Sequence, residues 1–365
     1  MATIEFENLN KANAVFEGEF KSAFETFLKS GWYILGKEVA QFEKEFADYC
    51  QVKHCVGLAS GLDALTLGIK SIGVKPGDEI IVAANSYIAC ILAIVNCDCK
   101  PVLVEPNIST YNIDVDKIEP LITNRTKAIM SVHLYGKLCE MAAIEKIAKH
   151  YNLQIIEDCA QAHGAAYQNR RAGSFGNCGA FSFYPTKNLG ALGDAGALTF
   201  QCDASAEKAR ILRNYGSKKK YFNELQGINS RLDEIQASFL RIKLKALEQI
   251  NERKRHLASL YFEGLKNDFI LPARMPDYYD VYHIFPIRHP ERNALRQYLL
   301  NHDIKTEVHY PIPPHRQLAL SSILGETEYP ITTTIHDTIL SLPISMAHSD
   351  DEIYRVVDVM NKFQK

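Results

Sequence analysis

The sequence predicts an α/β protein in which a largely parallel sheet is covered by helices and followed by a smaller α/β unit. Three observations carry this. Between His54 and Phe200, short apolar or β-branched runs alternate with helical patterns. Residues 231 to 266 contain no proline and only one glycine, near their far end, with apolar side chains at helical spacing. Beyond about Asn267 the patterns shorten and prolines mark the turns.

In order, HCVGLA reads as a strand followed by the helical DALTLGIKSI, and EIIVAA as a strand followed by YIACILAIV. PVLVEP and KAIMSVHL are further strands, the second followed by the helical MAAIEKIAKHY. LQIIEDCA and GALTF complete the sheet. One long helix, open to interruption, then leaves the first domain. LPARMPDYYD and YPIPPHRQ are turn-rich, and DDEIYRVVDVMNKFQ is a closing helix. The expected division is an N-terminal arm and large domain over 1–245 and a small domain over 246–365, as a chain of 365 residues suggests about two domains.

The 41 basic and 43 acidic side chains nearly cancel, so no global field recruits nucleic acid or an anionic membrane. The most apolar stretch, Ile80 to Cys97, is interrupted by Asn85, Ser86 and Asn96 and reads as strand, turn and helix rather than a membrane span. Nine scattered cysteines lack zinc-type spacing and read as reduced, mostly buried thiols. The start, MATIEFENLNKANAVF, has neither the basic beginning nor the apolar centre of a secretory signal, which leads us to expect the cytoplasm.

Chemistry concentrates where strands give way to helices. In SFYPTKNLGALGDAGAL, Lys187 follows a proline and precedes three glycines, on backbone unsuited to a regular helix or strand interior. A desolvated lysine there can lose its proton and attack a carbonyl; alone, it would read as a solvated surface lysine. In IIEDCAQAHGA an apolar run ends on Glu157 and Asp158. A carboxylate buried there needs a cation, such as a protonated pyridine nitrogen, or else caps the next segment. ASGLDAL offers a helix N-terminus, around Ser60, Gly61 and Leu62, for a phosphate or for plain capping. Tyr87, after the strand ending near Ala84, could stack on a flat heterocycle or fill the core. Neither GxxxxGK[ST] nor GxGxxG occurs, which lowers nucleotide hydrolysis and hydride transfer.

Taken together, SFYPTKN with GDAGA, EDCAQAHGA, ASGLDAL and NSRLDEIQA resemble the DegT-type nucleotide-sugar aminotransferases, pyridoxal-phosphate enzymes of the aspartate-aminotransferase fold (fold type I). The likeness runs from about Trp32 to Ile344. It implies that Lys187 forms the Schiff base with the cofactor and that Asp158 pairs with its ring nitrogen. Gln161 would sit beside the phenolic oxygen, with Tyr87 stacked on the ring. Ser60, Gly61, Leu62 and Ser182 would hold the phosphate. Asn229 would reach the phosphate of a neighbouring subunit, making an obligate homodimer, and His309 and Tyr310 would form a substrate-side loop. Histidine replaces the lysine in the family's dehydratases, so Lys187 speaks against that variant.

The implied reaction is a ping-pong transfer of an amino group from L-glutamate to a keto-sugar. VEPNISTYNID, LRNYGS, part of KKKYFNEL and HYPIPPH most resemble enzymes that aminate C3 of a dTDP-3-keto-6-deoxyhexose, a step toward amino-deoxysugars of surface glycans such as O-antigen. Lys219 and Tyr221, in KKKY, would face the nucleotide diphosphate or form a solvated loop. Alternatives are a C4 aminotransferase acting on a UDP-linked sugar and a cofactor-bound regulatory protein of the same fold. His133, His163 and His283 could ligate a metal only if the fold gathered them, and no metal is expected; His163 reads better as a group close behind the cofactor.

Overall fold

A computed structural model describes residues 2–364. Seven strands form the main sheet: β1 (His54–Leu58), β2 (Glu79–Ala83), β3 (Lys100–Val104), β4 (Thr126–Val132), β5 (Gln154–Asp158), β6 (Cys178–Ser182) and β7 (Gly196–Phe200). Their spatial order is β1-β7-β6-β5-β4-β2-β3. The contacts from β3 through β6 are parallel, and β7 is antiparallel to both of its neighbours, so β7 alone runs against the rest. β2 and β7 are buried throughout, as strands covered on both faces must be.

Helices cover both faces. One core packs α1 (Lys37–Cys50) against the sheet through Phe42 and Phe46, whose rings meet Phe181 and Phe183 edge-on at 4.9 to 5.4 Å. On the other face, α2 (Gly61–Ser71), α3 (Ile88–Val95) and α4 (Asp203–Leu212) share a second core with Val56, Ile80 and Leu198.

The long helix expected over 231–266 is two helices, α5 (Glu234–Leu244) and α6 (Leu247–Gly264). The helix is interrupted at Lys245 and Ala246, where the shared apolar pattern gives no sequence signal of a break. Glu234, at the start of α5, receives hydrogen bonds from the backbone N–H groups of Gly36, Glu38 and Val39, which ties this helix to the start of α1. The C-terminal unit pairs β8 (Phe285–Arg288) with β9 (Ile339–Leu342) and closes with α7 (Asp350–Met360). The N-terminal arm, grouped with the large domain in the sequence reading, sends Ile4 into the core of this unit, where it bridges to Ile304.

Candidate active site

The carboxyl ends of β1, β4, β5 and β6 point to one edge of the sheet, and the reversed β7 begins there. A cavity of about 440 Å³ opens at that edge. Strand direction alone therefore brings Ser60 (after β1), His133 (after β4), Asp158 (end of β5) and Ser182 (end of β6) to its walls.

Lys187 reaches the cavity from the turn after β6, where its N–H bonds the carbonyl of Tyr184 at 2.8 Å. Its Nζ lies 3.3 Å from Nε2 of His283, and burial, opposed by Asp158 and reinforced by Lys254, lowers its pKa to about 8. Asp158 is 7% exposed. One of its oxygens accepts from the Ala160 N–H at 3.0 Å and the other from the Cys90 thiol at 2.9 Å. Its neighbour Glu157 points the other way, accepting from the N–H groups of Gly173, Phe175 and Gly176 and from His133 Nε2 at 3.0 Å. Because His133 Nδ1 accepts from the Cys139 N–H, its proton sits on Nε2 and the pair is a neutral imidazole donating to a carboxylate. The two adjacent acids thus divide: Glu157 pins a loop, and Asp158 faces the cavity.

At the N-terminus of α2, Ser60 Oγ accepts from the Asp63 N–H at 3.1 Å, which leaves its hydroxyl proton free to donate. The N–H groups of Gly61 and Leu62 lie in the unpaired first turn of the helix. A Cβ on Gly61 would come within 2.5 Å of Ser182 Cβ, so the absence of a side chain is what lets these two segments share one cradle. Ser182 Oγ accepts from the Tyr184 N–H at 3.3 Å, and its proton is likewise free. Donors of this kind fit a phosphate.

Opposite, Gln161 accepts from the Tyr135 N–H at 2.6 Å and donates to the Tyr310 hydroxyl at 2.9 Å. The Tyr310 ring lies 4.9 Å from that of Tyr87, which is 47% exposed and precedes α3. His309 lines the same wall, and burial lowers its pKa to about 4. Three of the residues singled out in the sequence are not at this cavity. Asn229 is exposed and lines a separate surface pocket with Ile34 and Asp194; Asp194 also lines the Lys187 cavity. Lys219 and Tyr221 lie on an exposed hairpin over 217–223, with Tyr221 84% exposed.

The three histidines do not come together as a metal site: His133 is held by Glu157, His283 faces Lys187, and His163 packs on Phe181 and Phe183 with ring centroids 5.5 Å away. The one cluster with metal-ligand chemistry among the described residues is His133, Glu157 and Cys159, but four donors already saturate Glu157. Sequence reading missed two contacts at the site. His283 entered only as a metal candidate and Cys90 only as a buried thiol, and neither sits in a motif that marks it.

Residues 15–361 match the model of the DegT/DnrJ/EryC1/StrS aminotransferase family. The chain belongs to this family. It is 53% identical to the dTDP-3-amino-3,6-dideoxy-alpha-D-galactopyranose transaminase of Aneurinibacillus thermoaerophilus, over 99% of both chains. Among solved members, the structure of Streptomyces venezuelae DesV in complex with a ketimine intermediate matches with a TM-score of 0.97 at 42% identity, covering 99% of this chain and 98% of that one. NtdA from Bacillus subtilis, solved with bound cofactor PMP, matches with a TM-score of 0.92 at 29% identity, covering 99% of this chain and 85% of that one. The fold is thus that of the family's aminotransferases, a mixed sheet that is mostly parallel.

Proposed function

We propose that the protein is a pyridoxal-phosphate-dependent aminotransferase that moves an amino group from L-glutamate to C3 of a dTDP-linked 3-keto-6-deoxyhexose. The carrying observation is a desolvated primary amine, Lys187, sharing one cavity with the buried carboxylate of Asp158 and with a cradle of free donors at a helix N-terminus. The name of the relative at 53% identity speaks for C3 of a dTDP sugar over C4 of a UDP sugar.

Bound pyridoxal phosphate supplies an aldehyde that accepts the amino group and a ring that withdraws electrons from the reacting carbon. Ser60, Gly61, Leu62 and Ser182 hold the phosphate through their hydroxyl and N–H donors. Asp158 keeps the ring nitrogen protonated, and Tyr87 covers one ring face. Gln161 keeps an N–H for the phenolic oxygen. Lys187 would anchor the cofactor and move a proton to and from the reacting carbon; a pKa lowered to about 8 suits both roles. His309 and Tyr310 form the substrate-side wall.

A second copy of the chain completes the site in this reading. Asn229 and Ile34 share a surface pocket that meets the Lys187 cavity through Asp194, and Trp32 and Tyr33 expose 64% and 48% of their surface beside Ile34. A homodimer covering that patch brings Asn229 to the partner's phosphate, and Lys219 and Tyr221 contact the sugar-nucleotide diphosphate from the same edge. No helix among the described residues is long and apolar enough to cross a membrane. We assign the enzyme to the cytoplasm, where it supplies an amino-deoxysugar for a surface glycan. The test is amination of a panel of dTDP- and UDP-linked keto-sugars with glutamate, the aminated carbon being located by NMR. C3 amination of a dTDP-keto-sugar is expected; turnover confined to UDP-linked 4-keto-sugars overturns the substrate.

A further inference from the structure

We propose that Cys90 is a positioning residue for the cofactor acid, its thiol orienting the carboxylate of Asp158. The inference rests on the cofactor reading above. Cys90 Sγ lies 2.9 Å from Asp158 Oδ2, and both side chains are buried. The other oxygen, Oδ1, is held by the Ala160 N–H at 3.0 Å, so each oxygen carries one donor and the plane of the carboxylate is fixed from both sides. An ionised carboxylate oxygen accepts two hydrogen bonds, and Oδ2 therefore keeps a free lone pair for a ring N–H.

Toward a carboxylate oxygen the thiol can only donate. Burial, followed by the adjacent charge of Asp158, raises its pKa well above the ordinary value. It differs from the other thiols that donate hydrogen bonds in its acceptor: those of Cys97, Cys99 and Cys139 go to backbone carbonyls, of Thr66, Lys75 and Val132 among them. Cys90 also sits in the first turn of α3, with its N–H bonded to the carbonyl of Tyr87 at 3.0 Å. One helical turn thus links the aromatic face of the cavity to the acid at its floor. Replacing the thiol frees Asp158 to rotate about its side-chain bonds, and the loss is felt at the ring nitrogen rather than in the fold.

The test is equilibrium binding of pyridoxal 5'-phosphate to the full-length apoprotein, followed by its visible band. The variants are Cys90→Ser, which keeps a donor; Cys90→Val and Cys90→Ala, which do not; Asp158→Asn; and each donor-less variant combined with Asp158→Asn. We expect Cys90→Ser to bind within about twofold of wild type, and the donor-less variants to bind about tenfold more weakly, the loss of one hydrogen bond to a charged group. On the Asp158→Asn background the same substitutions should change affinity little, because the group they act through is gone. If Val fails to fold, Ala carries the comparison. Equal losses for Ser and Ala, no loss for either, or an undiminished loss on the Asp158→Asn background overturns the proposal. A wild-type apoprotein that develops no visible band overturns the cofactor reading itself.

Discussion

The amine of Lys187 and the imidazole of His283 lie 3.3 Å apart, and the carbonyl of His283 is in turn held at 3.0 Å by Nζ of a second buried lysine, Lys254. Burial is the largest influence on all three. It lowers both lysines to about 8 and the imidazole well below its ordinary value. His283 is therefore a neutral acceptor for the Lys187 ammonium, and Lys254 adds a positive charge that favours the free amine.

That arrangement predicts a pH dependence. Lys187 is lowered to about 8 in the fold from an ordinary value of 10.5. Between those values the unfolded chain binds more protons than the folded one, so the cost of burying Lys187 is full below the lower value and fades as pH rises toward the upper one. Lys187→Met should melt higher than wild-type apoprotein near neutral pH, with a gap that narrows by about pH 9.5. A gap of constant size would show that the amine does not titrate in that window.

Lys187→Ala should lower 2-oxoglutarate release by about a thousandfold or more, since it removes both anchor and proton carrier. A variant that turns over within tenfold of wild type would refute the central assignment.

The adjacent acids should separate stability from chemistry. Glu157→Gln disturbs four hydrogen bonds in the core and should cost about 1–3 kcal/mol in urea unfolding. Asp158→Asn should leave the unfolding midpoint nearer to wild type while slowing proton abstraction about a hundredfold. Single-turnover loss of the visible band on adding glutamate reads the second effect; the reverse pattern would exchange the two roles.

Gly61→Ala should weaken cofactor binding, because its Cβ would press to within 2.5 Å of Ser182 Cβ. Overpacking of that kind costs about 1–3 kcal/mol. The apparent dissociation constant of pyridoxal phosphate should rise, and the apoprotein should melt at a correspondingly lower temperature. Unchanged affinity would place the phosphate elsewhere.

Much of this was readable along the chain. The alternation of β-branched runs with helical patterns located six of the seven strands of the main sheet, because strand and helix periods are local properties of side-chain order; β6, the short run CGAFS rich in small residues, carried no such pattern. Ser60 and Asp158 stood out because each lies where a strand read from the sequence ends, and parallel strands deliver their carboxyl ends to one edge. Lys187 stood out by its proline- and glycine-bounded turn, and Ser182 only through the family resemblance. The break between α5 and α6 did not show, since an amphipathic stripe continues across it.

What the order of residues determined by itself was the set of elements and the short motifs between them, which depend on neighbours a few positions apart. What only the tertiary structure decided was which distant groups meet. His283 reaches Lys187 across 96 positions, Cys90 reaches Asp158 across 68, and Ile4 enters the core of the C-terminal unit. A buried hydrogen bond between remote residues leaves no periodic trace, because its partners are chosen by the path of the whole chain, and the desolvation that sets the Lys187 amine arises only when that path closes around it.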